Sequence, residues 1–275
     1  MSHHATGLLL QRVRNHALIL IAGAAGLLPC LKTHAQIAVD LGAAAPFSVL
    51  AGAGITVAAS GTSTIEGDIG SYPTLSITGL ENVILGGINH AGDSTTQSAK
   101  ESLLTAYNAA AAQIAPAPSV GIFDLAGATL TSGVYRADVA YELNGSLILD
   151  GGGDSNSVWI FQSDTTLTTG SGSQISLING AQASHIFWQI GSSATLGTNS
   201  VFAGSILALE SITATDGAQI DGGLYALNGA VTLDNNQISV VPEPGSALLL
   251  GYGVALLVSK RRRKARPVRS LSTAI

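Results

Sequence analysis

Cysteine occurs once in the 275 residues, at Cys30. Because Cys30 lies in a segment read below as a cleaved signal peptide, the mature chain can form no disulfide, and closure must come from backbone hydrogen bonds and the core. The Leu27-Leu28-Pro29-Cys30 run is a poor lipid-attachment box, since Pro29 directly precedes the cysteine. Basic residues are almost as scarce: between Gln36 and Val241 only Lys100 and Arg136 face sixteen Asp and Glu, a net charge near −14 that the whole-chain value of −5 hides. Such a surface repels phosphate backbones and excludes nucleic-acid binding. It also leaves little for acid–base chemistry, because His90 and His185 are the only histidines of that region. Aromatic residues make up 5% and charged residues 11% of the chain, against 46% hydrophobic residues and 33 glycines, which suits a thin solenoid of small side chains better than a globular enzyme.

What is present is a short repeat. From Ser193 the chain reads in sixes, and Thr195, Thr213 and Thr232 recur at steps of 18 and 19 residues. A fixed period of three six-residue sides predicts an all-β triangular β-solenoid, in which alternate side chains of each side point in and out. On the first side, X, the inward residues are Ala194 and Leu196, Ile212 and Ala214, and Val231 and Leu233, so Thr195, Gly197, Thr213, Thr215, Thr232 and Asp234 point outward. On Y the expected inward residues are Val201, Ile220 and Ile238, with Ser200, Phe202, Gln219, Asp221, Gln237 and Ser239 outward. Z is apolar in both directions, with Leu207, Leu209, Tyr225 and Leu227 outward, and requires a cover.

That cover is predicted in the helix at about 94–115. Ser94-Thr95-Thr96-Gln97 after Asp93 reads as a capping box, Ala99, Leu103, Ala106, Tyr107, Ala110 and Ile114 form a stripe at helical spacing, and Pro116 and Pro118 stop it. Ser48 to Asp68 copies the register of Ser205 to Asp221, so the N-terminal coil is expected to stack on C-terminal ones and the solenoid to be discontinuous in sequence. Asp164 to Thr169 starts the X column with Thr166 taken opposite Thr195, and that coil carries an insertion within Gly170 to Ser184. The Asp150-Gly-Gly-Gly-Asp154-Ser-Asn156 loop has oxygens for calcium, but its spacing is not that of an EF-hand and a hairpin turn accounts for it better. His185 reads as a core or turn residue.

The two ends carry addresses. Residues 1–35 read as a secretory signal: Arg12 and Arg14 precede the apolar run Ala17 to Leu28, and Thr33-His34-Ala35 fits cleavage after Ala35. Residues 36–240 form the solenoid domain. Residues 241–264 contain Pro242-Glu243-Pro244, a short apolar transmembrane segment at 245–259 and the block Lys260 to Lys264, followed by a basic cytoplasmic tail at 265–275. This order resembles the PEP-CTERM sorting signal of Gram-negative bacteria, which implies an exosortase-type enzyme and the membrane as partners. It places the protein across the inner membrane, in the envelope or outside the cell, transiently anchored.

Gly133-Val-Tyr135, Val158-Trp-Ile-Phe-Gln162, Ile186-Phe-Trp-Gln189, Gly191 to Thr198, Gly204 to Ala208 and Gly229 to Asp234 resemble the microbial ice-binding protein family, over about Asp40 to Val240. The resemblance implies a discontinuous right-handed β-solenoid with one long flanking α-helix, no enzymatic activity, no cofactor and no metal, and a flat face that binds ice or ordered water. Side X best supplies such a face, through Thr166, Thr168, Thr195, Gly197, Thr198, Thr213, Thr215, Thr232 and Asp234. β-Branched threonines hold few rotamers, so their methyls can order water into cages while their hydroxyls hold it at fixed spacing. Relatives often carry Thr-(Ala or Gly)-x-(Thr or Asn) on that face. Thr195 to Thr198 and Thr232 to Asn235 match its ends, while Thr213 to Asp216 departs at the last position, so inhibition of recrystallisation is expected ahead of a large freezing-point depression. The alternative is a non-catalytic structural or adhesive protein of the cell surface or exopolysaccharide matrix. A third class, a polysaccharide-cleaving enzyme, lacks the clustered carboxylates with a basic partner that it would need, since Arg136 stands isolated.

Overall fold

A computed structural model of the chain describes residues 37–115 and 124–240. The expected signal peptide with Ala35, the helix-stopping Pro116 and Pro118, the Pro242-Glu243-Pro244 triplet, the apolar segment at 245–259 and the basic tail lie outside the described residues. No helix among the described residues is long and apolar enough to cross a membrane.

The strands assemble into three all-parallel sheets of seven, eight and eight strands, one for each predicted side. In the later coils each pass runs X, then Y, then Z, as in Ala194–Leu196, Val201–Ala203 and Ser205–Ala208. The stacking order departs from the sequence order where expected. Val49 pairs with Leu224 on Z, Thr56 with Thr232 on X, and Ile65 with Ile238 on Y, so the N-terminal coil sits directly on the last C-terminal one. The chain thus leaves the solenoid at Val240 and enters it at Phe47 in adjacent layers.

Two coil sizes explain where the aromatics go. From Glu142 to Thr168 and from Thr168 to Thr195 the steps are 26 and 27 residues, against 18 and 19 for the next two. The second wide coil lengthens within Gly170 to Ser184, where a five-residue strand, Gln174–Ile178, and a turn at Asn179 and Gly180 stand. Wider coils need larger fillings: Phe161 and Trp188 stack with ring centroids 3.9 Å apart, and Tyr141 meets both rings edge-on at 5.9 and 6.3 Å. Phe202, 5.2 Å from Trp188, closes the stack as the narrow coils begin.

This corrects one expectation. Phe202 pairs with Ile220 and is buried, whereas Val201 pairs with Gln219 and is exposed, and Ser200 also turns inward. Both Val201 and Phe202 are apolar, so alternation could not choose between them; the room beside Trp188 does.

The helix, Ser94–Ala111, lies along Z, and its buried Ala99, Leu103, Ala106 and Ala110 pack with Leu207, Tyr225 and Leu227 in a second apolar layer. Its N-cap is Asp93, whose carboxylate accepts the Thr96 N–H at 2.9 Å, so the cap lies one residue before the predicted box; the Gln97 amide instead donates to the Gly92 carbonyl. The far end stops before 115 because it is closed from outside: buried Gln162 donates to the carbonyls of Ala110 and Gln113 at 2.7 and 2.8 Å. Ile114, assigned to the stripe, is therefore exposed. Lys100 fixes the middle of the helix, its ammonium donating to the carbonyls of Ala226 and Leu227 at 2.7 and 2.5 Å; burial lowers its pKa to about 8.

Candidate functional site

With the helix on Z, side X carries no cover among the described residues, and its seven strands set one outward residue each in register. The column runs Glu142, Thr168, Thr195, Thr213, Thr232, Thr56, Thr78. At about 4.8 Å per strand it is roughly 29 Å long. The flanking inward residues are buried on both sides of each central threonine, which anchors the backbone of the strand and so the height of its methyl. The six threonine hydroxyls make no hydrogen bond to another described side chain or carbonyl, so their donors and acceptors face outward. Glu142, at the wide end, is the single charged member, and its carboxylate accepts from the Asn144 amide at 3.0 Å.

Three members of this column, Glu142, Thr56 and Thr78, were not among the expected face residues; the two threonines had a signal in the sequence. Gly54-Ile55-Thr56 and Ser76-Ile77-Thr78 carry the same small–apolar–Thr signature as Ser211-Ile212-Thr213, and that was the available signal. The register also corrects Thr166. Thr168, not Thr166, stands opposite Thr195, because Leu167 must point inward and pairs with Ala194. Thr166 belongs instead to a neighbouring line of small residues, with Ser193, Ser211 and Ala230, each one place ahead of an inward residue of its coil. Ser193 and Ser211 spend their hydroxyl oxygens accepting the N–H groups of Ser211 and Ala230.

The remaining expected residues lie at the X–Y corner and serve the coil stacking. The Thr215 hydroxyl donates to the Leu196 carbonyl at 2.8 Å and lies 3.3 Å from the Thr198 hydroxyl. A Cβ on Gly197 would come within 2.5 Å of the Gly170 carbonyl, so the close approach of two coils requires a glycine there. Asp234 accepts the Ser60 hydroxyl, and neighbouring Asp216 accepts the Asn235 amide at 3.0 Å. Four successive passes turn this corner with a left-handed residue, Gly172, Asn199, Gly217 and Asn235. Asparagine tolerates that conformation and so stands where glycine otherwise would. The X face is thus one regular threonine column with a flanking line of small residues, bounded by a hydrogen-bonded corner.

Other candidate groups are engaged elsewhere. Asp150 accepts the Gly152 N–H and the Asn179 amide, bonds that hold its carboxyl below the usual range, and Asp154 accepts the Asn156 N–H, so the glycine-rich loop closes as turns. Among the described residues no three His, Cys, Asp or Glu side chains converge as a metal site would require. His185 is buried with Nδ1 3.0 Å from the Ser155 carbonyl oxygen. Arg136 pairs with Asp164 at 2.6 Å and Asp138 at 3.2 Å. His90 bridges Asp93 and Asp68 at 3.0 and 3.2 Å, and these carboxylates, Asp93 first, raise its pKa against the opposing effect of burial.

These features define a class: a three-sided parallel solenoid whose N-terminal coil is spliced onto its C-terminal ones, with one side sealed by a helix and another left as a flat threonine face. Residues 49–239 match the Ice-binding-like family, and the chain belongs to it. It is 44% identical over 237 residues to an ice-binding protein of Nostoc sp. (strain HG1), covering 81% of this chain and 87% of that one. An ice-binding protein of Flavobacterium frigoris (strain PS1) is 33% identical over 74% of this chain and 76% of its own length. The crystal structure of an ice-binding protein from the Antarctic ascomycete Antarctomyces psychrotrophicus superposes with a TM-score of 0.72 at 44% identity, over 75% of this chain and all of that one.

Proposed function

We propose that the protein binds ice through side X and thereby inhibits ice growth and recrystallisation. The observation that carries this reading is the in-register column of six threonines on an uncovered, nearly uncharged face. Methyls at a repeat of about 4.8 Å, held by buried neighbours, order adjacent water, and the outward hydroxyls hold that water at fixed spacing. The ordered layer merges with a crystal surface, and adsorbed molecules pin its advancing front. We read the site as non-catalytic, because the two basic residues among those described, Lys100 and Arg136, are engaged in the fold. Purified residues 36–240 are expected to suppress ice recrystallisation at micromolar concentration; loss of that effect in the folded domain would refute the reading.

The terminal addresses belong to the same proposal. Residues 1–35 direct secretion with cleavage after Ala35, and Pro242-Glu243-Pro244 with the apolar segment at 245–259 and the basic residues beyond it deliver the chain to the membrane and to an exosortase-type enzyme. The protein then works in the envelope or outside the cell.

A further inference from the structure

The splice in the solenoid fixes where a tether can be attached relative to the threonine face. The last strand, Gln237–Ser239, belongs to Y, and every strand runs parallel, so Val240 stands where Y gives way to Z. Its surroundings agree: Val240 shares a narrow crevice with Gly222, Gly223 and Tyr225 of its own end of the stack, and a Cβ on Gly67 of the N-terminal coil would meet the Val240 side chain. Gly222 and Gly67 are themselves Y–Z corner residues, each placed between a Y strand and a Z strand. In a triangular coil the Y–Z corner is the one opposite side X. With six residues a side at about 3.3 Å each, the corner lies roughly 17 Å from the threonine column across the section.

Four residues, 241–244, separate Val240 from the apolar segment at 245–259, and two of them are prolines. Fully extended they reach about 14 Å. So short a link cannot pass around the domain, because the way from that corner to the X face runs along a whole side, roughly 20 Å. We propose that the anchored protein faces the lipid bilayer with its Y–Z corner and presents the threonine column of side X outward, as an ice-adhesive surface held about 30 Å from the membrane at most. This rests on the reading of residues 245–259 as a membrane anchor and of X as the ice face. It adds an activity that neither contains, namely that ice is bound by the protein while still tethered, so that a membrane carrying it adheres to ice.

The test uses residues 36–275 in phosphatidylcholine vesicles. That chain has no cysteine, so single probes can be attached through Glu66→Cys at the Y–Z corner and Thr213→Cys in the middle of X. With a quencher on the lipid headgroups, the probe at 66 is expected to lose several-fold more fluorescence than the probe at 213. Dye-filled vesicles carrying the unlabelled chain are expected to coat an ice surface, and Thr213→Tyr to reduce the coating at least tenfold. Quenching at 213 equal to or greater than that at 66, or vesicles that stay off ice although soluble residues 36–240 bind it, would overturn the proposed orientation. A chain that fails to float with the vesicles would instead overturn the anchor, and with it the tethered activity, whereas soluble 36–240 that does not bind ice would overturn the ice reading.

Discussion

Replacing Thr213 by Tyr separates the surface chemistry of side X from its folding. Thr213 is the fourth of seven residues in the column, with Thr195 and Thr232 as its register neighbours, and its hydroxyl has no partner among the described residues. A tyrosine ring rises about 4 Å above the level of the threonine methyls, a few bond lengths of ~1.5 Å. A rigid crystal plane resting on that ring is lifted from both neighbours about 4.8 Å away. A gap of only ~1 Å already forfeits up to about half of a dispersion contact. Losing the contacts of two or more coils costs at least ~1.4 kcal/mol, or about tenfold in the concentration that inhibits recrystallisation. Stability should change by no more than about 0.5 kcal/mol, since the site is a surface strand position that tyrosine suits. The assay is recrystallisation of fine-grained ice with both proteins, beside a thermal unfolding curve for each. An unchanged inhibitory concentration in a variant that unfolds at the parental temperature would refute the claim that ice rests on this column.

Other consequences concern the support beneath the face. Thr215→Val removes a hydroxyl bonded to the Leu196 carbonyl, so it should cost about 1 kcal/mol in chemical denaturation yet leave recrystallisation inhibition intact. Lys100→Met keeps the apolar stem but strips two carbonyls of a charged donor; a loss of about 2 kcal/mol is expected from urea unfolding. Trp188→Ala empties the centre of the aromatic stack and should lower stability by about 3–5 kcal/mol, read from the same curves. The pKa of His90 is raised in the folded protein, so its contribution is complete below the unfolded value of 6.5 and is lost as pH climbs through the folded value. The unfolding temperature should therefore fall across that interval, and His90→Gln should flatten the slope; equal slopes in the two proteins would contradict the two-carboxylate bridge.

How far the sequence could be read depended on whether one rule or two decided a position. The X column was legible at Thr195, Thr213 and Thr232 because each is a polar residue between two apolar ones, so alternation alone sets its direction. The splice was legible because Ser48 to Asp68 repeats a C-terminal coil, and the helix because Z would otherwise expose leucines. Val201 and Phe202 were not legible: both are apolar, and the choice belongs to Trp188 of the preceding coil, which needs a ring beside it. Thr166 and Thr168 both point outward, and only the pairing of Leu167 with Ala194 says which one joins the column. The hydrogen bonds of the corner residues were hard to read for a related reason. Thr198, Thr215 and Asp234 have the composition of a water-facing grid, but a three-residue strand leaves its second outward place on the bend, where the coils claim the hydroxyl or carboxylate for each other. Strand length thus sets the width of the face: a regular row one residue wide and seven coils long, with threonine in six of them.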